Sequence, residues 1–372
     1  MEARWTPMRW PDAWKDPTLL DLLKGTAIDC LLIGPGEELG PVRIRAQHDG
    51  YELAAPPAVT VIKGEWPGVK LGRGGGGAGP TGVPWVNSNG WAVRLAMALN
   101  PEAAVWVDAS PVAGTFVTAD SYLIAIADSA AHGGRWIVSL DAPLAASLAA
   151  GKAEAQKPWK RILETTAFFA ARKMWSVYAP VANLGVISDF TGPNEFFGQE
   201  LLNLLARAGA HARPVPLANL SAGSLQGLRA ILYPDAAPPS ASVRRQMETF
   251  VKGGGVLMTS EKRQADDPYV WANDAVVMLS HRYDLVRFWN GGATGSFVST
   301  SPERKQTVVH LLFYSMRGPD SATVRVAGRF RSARAATVEH PEVTNLEVQS
   351  QKEAMEVHLP LVSQYVALQL ES

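Results

Sequence analysis

The chain has 372 residues, of which 47% are hydrophobic and 19% charged, so it has apolar content for a sizeable core and length for two or three domains. Lysine plus arginine balance aspartate plus glutamate at 35 each, which gives no electrostatic reason to expect nucleic acid or an anionic membrane as partner. A single cysteine, Cys30, excludes an intrachain disulfide and a thiolate metal cluster, and no run approaches a membrane span.

Residues 1–14 are polar and aromatic without the apolar stretch of a signal peptide, which makes the cytoplasm the default location. Asp16-Pro17-Thr18 opens a helix through Leu23, with Pro where a first turn prefers it. Residues 28–33 and 58–62 read as buried strands, and Cys30 inside the first is read as a small hydrophobe rather than a nucleophile. The stretch 63–89 interrupts the pattern with Gly74-Gly75-Gly76-Gly77. That run lacks the Gly-Lys-Ser/Thr ending of a phosphate loop, so nucleotide binding is not expected there. A helix over 90–99 places Val93, Ala96 and Met97 on one face. A strand at 105–107 ends at Asp108, a helix follows over 118–131, and a strand at 136–140 ends at Asp141. A long helix is predicted from Pro158 to Tyr178. Such alternation argues for a largely parallel sheet covered by helices.

Residues 184–262 repeat the alternation in a tighter rhythm. Strands are predicted at 184–188, 211–217, 228–233 and 256–259, and helices at 194–208 and 240–252, the last closed by Gly253-Gly254-Gly255. This is the pattern of a flavodoxin-like α/β unit. Beyond about 283 the helical period disappears. Short runs at 307–314, 322–326, 335–338, 354–359 and 365–370, separated by turn residues, read as an antiparallel β-sandwich.

The middle segment resembles the glutamine-amidotransferase-like domain of family 42 β-galactosidases. The residues that carry the resemblance are Leu184 to Phe190 with Asn194-Glu195, Leu228 to Asp235, and Phe250-Val251-Lys252-Gly253-Gly254-Gly255-Val256-Leu257. The resemblance implies three domains: a (β/α) barrel-like domain over 1–180, an amidotransferase-like α/β domain over 181–282 and a β-sandwich over 283–372. It also implies a homo-oligomer. Two departures qualify it. The strand ending at Tyr233 runs into Pro234-Asp235 with no cysteine, so glutaminase chemistry, which needs a thiolate, is not expected. The first domain has no Asn-Glu pair of the kind that carries the family's acid, and it is shorter than the roughly 250 residues of a complete eight-stranded barrel. The barrel is therefore read as shortened or degenerate.

Glycoside hydrolysis needs two carboxyl groups, and parallel α/β folds gather functional groups at the C-terminal ends of strands. That filter leaves Glu65, Asp108, Asp141, Asp189 and Glu195. Asp141, Asp189 and Glu195 are read first as capping or turn residues. Glu65 and Asp108 border the region richest in tryptophan and are the expected catalytic pair. Seven of the 12 tryptophans lie in the first 110 residues, and their flat apolar faces suit stacking on sugar rings as well as packing in a core. Trp10, Trp66, Trp85, Asn87 and Asn89 are the expected substrate-binding residues, with Arg9 and Arg94 as further hydroxyl partners. His48 and His132 sit in no triad pattern, His211 and His310 read as structural, and no metal spacing or cofactor motif occurs. The sequence thus points to a carbohydrate-active protein, either a glycoside hydrolase-like enzyme without cofactor or metal, or a non-catalytic sugar-binding or assembly protein.

Overall fold

A computed structural model of the chain describes residues 5–33, 40–43, 59–70, 79–80, 86–259, 267–289, 291–315, 321–342, 344–360 and 362–372. Its first part holds β1 (Pro7–Arg9), β2 (Cys30–Ile33), β3 (Gly40–Arg43), β4 (Val59–Lys63) and the short pair β5 (Val69–Lys70) and β6 (Gly79–Pro80). Then come α1 (Gly90–Leu99), β7 (Ala104–Asp108), α2 (Ala119–Ala131), β8 (Arg135–Trp136), α3 (Ala142–Ala149) and α4 (Ala153–Ala171). Parallel pairing joins β4 to β7, β7 to β8 and β1 to β2, while β3 returns antiparallel to β2. The two sets meet where Arg9 N–H donates to the Val138 carbonyl and Val138 N–H to that of Pro7. The strands therefore follow one another laterally in chain order, with the last returning to the first. That is a barrel's arrangement, but among the described residues the ring does not close between β3 and β4.

Strand alternation sorts the side chains of this sheet. Met8, Leu31, Val105, Val107 and Val138 join the main core with the helices, whereas Trp5, Cys30, Leu32, Trp106 and Ile137 form a smaller cluster on the opposite face. Helix α2 is buried on all sides from Ser121 to Ala131. Thr118 caps it by accepting from Ser121 N–H, and Asp141 caps α3 by accepting from Leu144 N–H at 3.0 Å. The helix expected over 158–178 is instead α4, followed by a 3-10 turn at Lys173–Val177. Pro158 lies in the second turn of α4 rather than at its start, where the carbonyl it leaves unpaired belongs to exposed Glu154.

The short strand β9 (Ala179–Pro180) leads into β10 (Leu184–Ser188), α5 (Glu195–Arg207), β11 (Ala212–Pro216), β12 (Ala230–Tyr233), α6 (Ala241–Lys252), β13 (Val256–Thr259) and α7 (Pro268–Leu279). The sheet is wholly parallel in the order β11-β10-β12-β13. Leu184, Val186, Ala230 and Leu232 pack against α5 and α7, while Ile187, Val215 and Ile231 pack with Met247 of α6. Helices thus cover both faces, as strands of near-continuous apolar residues require.

The rest is antiparallel: β14 (Val286–Trp289), β15 (Thr294–Thr300), β16 (Gln306–Phe313), β17 (Ala322–Ala327), β18 (Ser332–Thr337), β19 (Thr344–Asn345), β20 (Val348–Ser350), β21 (Ala354–Leu359) and β22 (Tyr365–Glu371). One sheet runs β14-β17-β21-β20 and the other β19-β18-β22-β16-β15-β9. They enclose a core of Val309, Leu311, Val324, Val357 and Leu368. The second face of the larger sheet is also covered, since Leu312, Ala336, Tyr365 and Ala367 enter the main core with α2 and α4.

Candidate functional site

Asp108 ends β7 on the same face as Trp106, and Arg9 ends the neighbouring part of the sheet at β1. Arg9 Nη2 donates to Asp108 Oδ2 at 2.9 Å, with both side chains more than a quarter exposed. The pair has hydrogen-bonding capacity left over. Asp108 Oδ1 and Arg9 Nε are buried atoms with no partner among the described residues, and so is Trp106 Nε1. One acceptor and two donors are thus left at the C-terminal end of the parallel strands, where functional groups of such folds collect.

Glu65 lies two residues past β4, beside Asp108 along the chain path, because Gly64 N–H donates to the Asp108 carbonyl at 2.8 Å. The side chain of Glu65 is engaged elsewhere. It accepts from Asn87 Nδ2, and Asn87 Oδ1 accepts in turn from Arg207 of α5. A groove of about 620 Å³ between β4, α1 and α5 brings together Glu65, Asn87 and Asn89 but neither Asp108 nor Trp10. Asn89 is buried, and its side-chain amide is turned to the backbone of the neighbouring loop. Its Oδ1 accepts from Glu65 N–H at 2.9 Å and its Nδ2 donates to the Glu65 carbonyl at 2.9 Å, so the buried amide clamps the loop that carries Glu65.

Of the expected tryptophans, Trp10 is half-buried, stacks edge-on against Trp14 at 4.9 Å and donates to the Trp14 carbonyl. Trp66 presents no ring face to a ligand. It is buried between Tyr122 and Trp136, with ring centroids 5.1 and 4.9 Å away, because the two-residue step from Gly64 turns it under the sheet toward α2. Trp85 and His48 lie outside the described residues. Arg94 is half-buried and donates to the His132 carbonyl, with its guanidinium over Phe297. Asp189 accepts from Thr191 N–H and from Asn194 Nδ2, a turn role.

The sequence reading overlooked a polar cluster where the three sheets approach one another. Asp128, fully buried in α2, accepts from Asn89 N–H at 2.7 Å and from Tyr314 O–H at 2.8 Å. Burial pushes the Asp128 carboxyl above its ordinary range, against the opposing effect of His132 and the two hydrogen bonds. His132, whose Nδ1 meets the Asp128 carbonyl oxygen at 2.8 Å, is pushed down by burial. Two further histidines are held neutral by burial: His211, lowered to about 4, and His310, lowered to about 3. His211 Nε2 lies 3.1 Å from Ser296 Oγ, and His310 Nδ1 lies 2.7 Å from Tyr365 O–H. One sequence signal pointed here, namely an aspartate within the largely apolar run Tyr122 to Ala131 of α2. Among the described residues no group of three or more His, Cys, Asp or Glu side chains is placed to hold a metal ion. No described helix is long and apolar enough to cross a membrane.

Compared with known proteins, the chain matches no protein-family model and no curated protein. Its likeness is to solved structures. α-L-Fucosidase isoenzyme 2 from Paenibacillus thiaminolyticus aligns with a TM-score of 0.53 at 10% identity, over 76% of this chain and 62% of that one. The rhamnosidase from Novosphingobium sp. PP1Y aligns with a TM-score of 0.54 at 10% identity, over 84% of this chain and 34% of that one. The chain has a glycoside-hydrolase-like fold. It spans less than two thirds of the length of either enzyme. Gan42B, a GH42 β-galactosidase, aligns with a TM-score of 0.47 at 9% identity over 76% of this chain and 56% of that one.

Proposed function

We propose that the protein is a carbohydrate-active protein of glycoside-hydrolase type whose sugar site lies at the C-terminal ends of β1, β4 and β7. The observation that carries this reading is the Arg9–Asp108 pair, with an acceptor and a donor still unfilled at the strand ends of a glycoside-hydrolase-like sheet. A sugar ring offers hydroxyls that both donate and accept, so one ring can meet Asp108 Oδ1 and Arg9 Nε together. Hydrolysis requires a second carboxyl group as the partner acid or base. Glu65 is the proposed partner, because Gly64 ties its loop to the Asp108 backbone; in that role its side chain leaves Asn87 and turns toward Asp108. The expected divisions at 180 and 282, the amidotransferase-like character of the middle segment and a homo-oligomeric state belong to the same proposal.

The test is a panel of aryl-glycosides, with fucosides and rhamnosides included because the neighbours are named for those sugars. Asp108→Asn and Glu65→Gln should each abolish turnover of any cleaved glycoside. Both should leave the melting temperature nearly unchanged, since a partly exposed ion pair contributes at most about 1 kcal/mol. Full activity in both variants overturns the assignment of the pair. Ligand-induced thermal shifts without turnover select the non-catalytic sugar-binding protein instead.

A further inference from the structure

A second cavity, of about 400 Å³, opens where α5, the start of β10 and β11, and strands β14 and β15 converge. It lies at the N-terminal edge of the parallel sheet β11-β10-β12-β13, away from the strand ends where a ligand site of that fold is looked for. Its size is that of a small-molecule site. Three observations define what would occupy it.

The first is Asn183, more than nine-tenths buried and lining the cavity. Its Nδ2 donates to the Tyr283 carbonyl at 2.6 Å, which fixes the orientation of the amide, and its Oδ1 is left without a partner. A buried acceptor in that state calls for a ligand donor such as a hydroxyl. The second is charge. Arg287 and Arg207, which also donates to Asn87, line the cavity, and its one lining carboxylate, Asp284, meets His281 Nδ1 at 3.0 Å. Arg287 stands directly across from Arg325 in the β14–β17 register, and Glu356 of β21 stands across from Arg325 on its other side and offsets that second charge. The third is an apolar wall of Phe288 and Val276, suited to the face of a ring.

We infer that this cavity binds a sugar acid, with its carboxylate toward Arg287 and Arg207 and a ring hydroxyl donating to Asn183 Oδ1. The anionic half of this description stands on the cavity alone; the sugar half rests on the carbohydrate reading above. Arg287 is exposed, so its replacement does not threaten the fold.

Titration of the full chain with D-glucuronate and D-galacturonate, followed by thermal shift and calorimetry, should give saturable binding. D-Glucose, D-galactose and acetate should each bind at least about tenfold more weakly. Arg287→Ala should weaken uronate binding at least about tenfold, Arg287→Lys should restore part of it, and Asp108→Asn should leave it unchanged. No saturable response to either uronate, acetate binding as well as the uronates, or unchanged affinity in Arg287→Ala would each overturn the inference. Because Asp108→Asn reports on the other site, loss of glycoside turnover and loss of uronate binding are read separately.

Discussion

Acidification from pH 7 to pH 5 should destabilise the protein through His211 and His310. Both imidazoles are buried, and loss of hydration, reinforced by nearby His132, lowers them to about 4 and about 3. In the unfolded chain each titrates near 6.5. Between 6.5 and the folded value the unfolded state binds a proton that the folded state refuses. The stability supplied by the neutral rings is therefore complete above pH 6.5 and is lost as pH falls toward 4. At pH 5 the gap from 6.5 is about 1.5 units, and at about 1.4 kcal/mol per unit each histidine removes about 2 kcal/mol. Together they remove about 4 kcal/mol. Ordinary carboxylates contribute little in this window, and Asp128, whose raised value stabilises the fold as pH falls, and His132, whose lowered value destabilises it, act alike in parent and variant. Urea unfolding at pH 7 and pH 5, followed by far-UV circular dichroism, measures the difference. His310→Gln loses a hydrogen bond to Tyr365 at both pH values, but its stability should fall about 2 kcal/mol less than that of the parent chain between them. His211→Gln should behave likewise. An equal fall in parent and variants would refute the assignment of the acid sensitivity to these rings.

Two further outcomes follow from local geometry. A Cβ at Gly90 would overlap the His132 ring, so Gly90→Ala should lower unfolding free energy by about 1–3 kcal/mol in the same urea assay; an unchanged midpoint would show that His132 yields freely. The buried Cys30 thiol is pushed up to about 12, first by loss of hydration and then by Asp29, so mass spectrometry after iodoacetamide should find it unmodified in native protein and alkylated in urea. Rapid alkylation of the native protein would contradict the packing of β2.

Much of the middle of the chain was legible because its signals are local. The strands at Leu184–Ser188 and Val256–Thr259 and the helix ended by Gly253 stand where apolar runs and a glycine stop place them. The strand at Ala354–Leu359 was equally plain. Helix α3 was hidden because Asp141-Ala142-Pro143 serves a turn and a helix start equally well, and only the bond from Leu144 N–H decides between them. Strands β14 and β15 carry charge and glycine in the interrupted run Arg287 to Gly295, which masks their alternation. At the site, the strand-end rule led to Asp108 but could not foresee Arg9, whose approach depends on β1 lying beside residues 135–138. Trp66 and Asn89 were read as ligand-facing from their neighbours in the sequence. Their burial is set by Tyr122, Trp136 and Asp128, which no sequence spacing brings near. The cluster of Asp128, His132 and Tyr314 is tertiary in origin and left only one buried aspartate in α2 as a trace.

The hydrogen bond from Tyr314 to Asp128 has a consequence for the order in which the protein is made. Its partners are 186 residues apart. At a ribosomal rate of about 5–20 residues per second, α2 waits roughly 10–40 s for the residue that completes the setting of its carboxylate. Through that interval the main core also lacks Leu312, Ala336, Tyr365 and Ala367, which close it from the last strands. The nascent chain thus carries a half-solvated acid until Tyr314 emerges and an open apolar surface until β22 does. Its early segments are natural clients for a holding chaperone, and a chain stopped short of β22 would be cleared rather than stored.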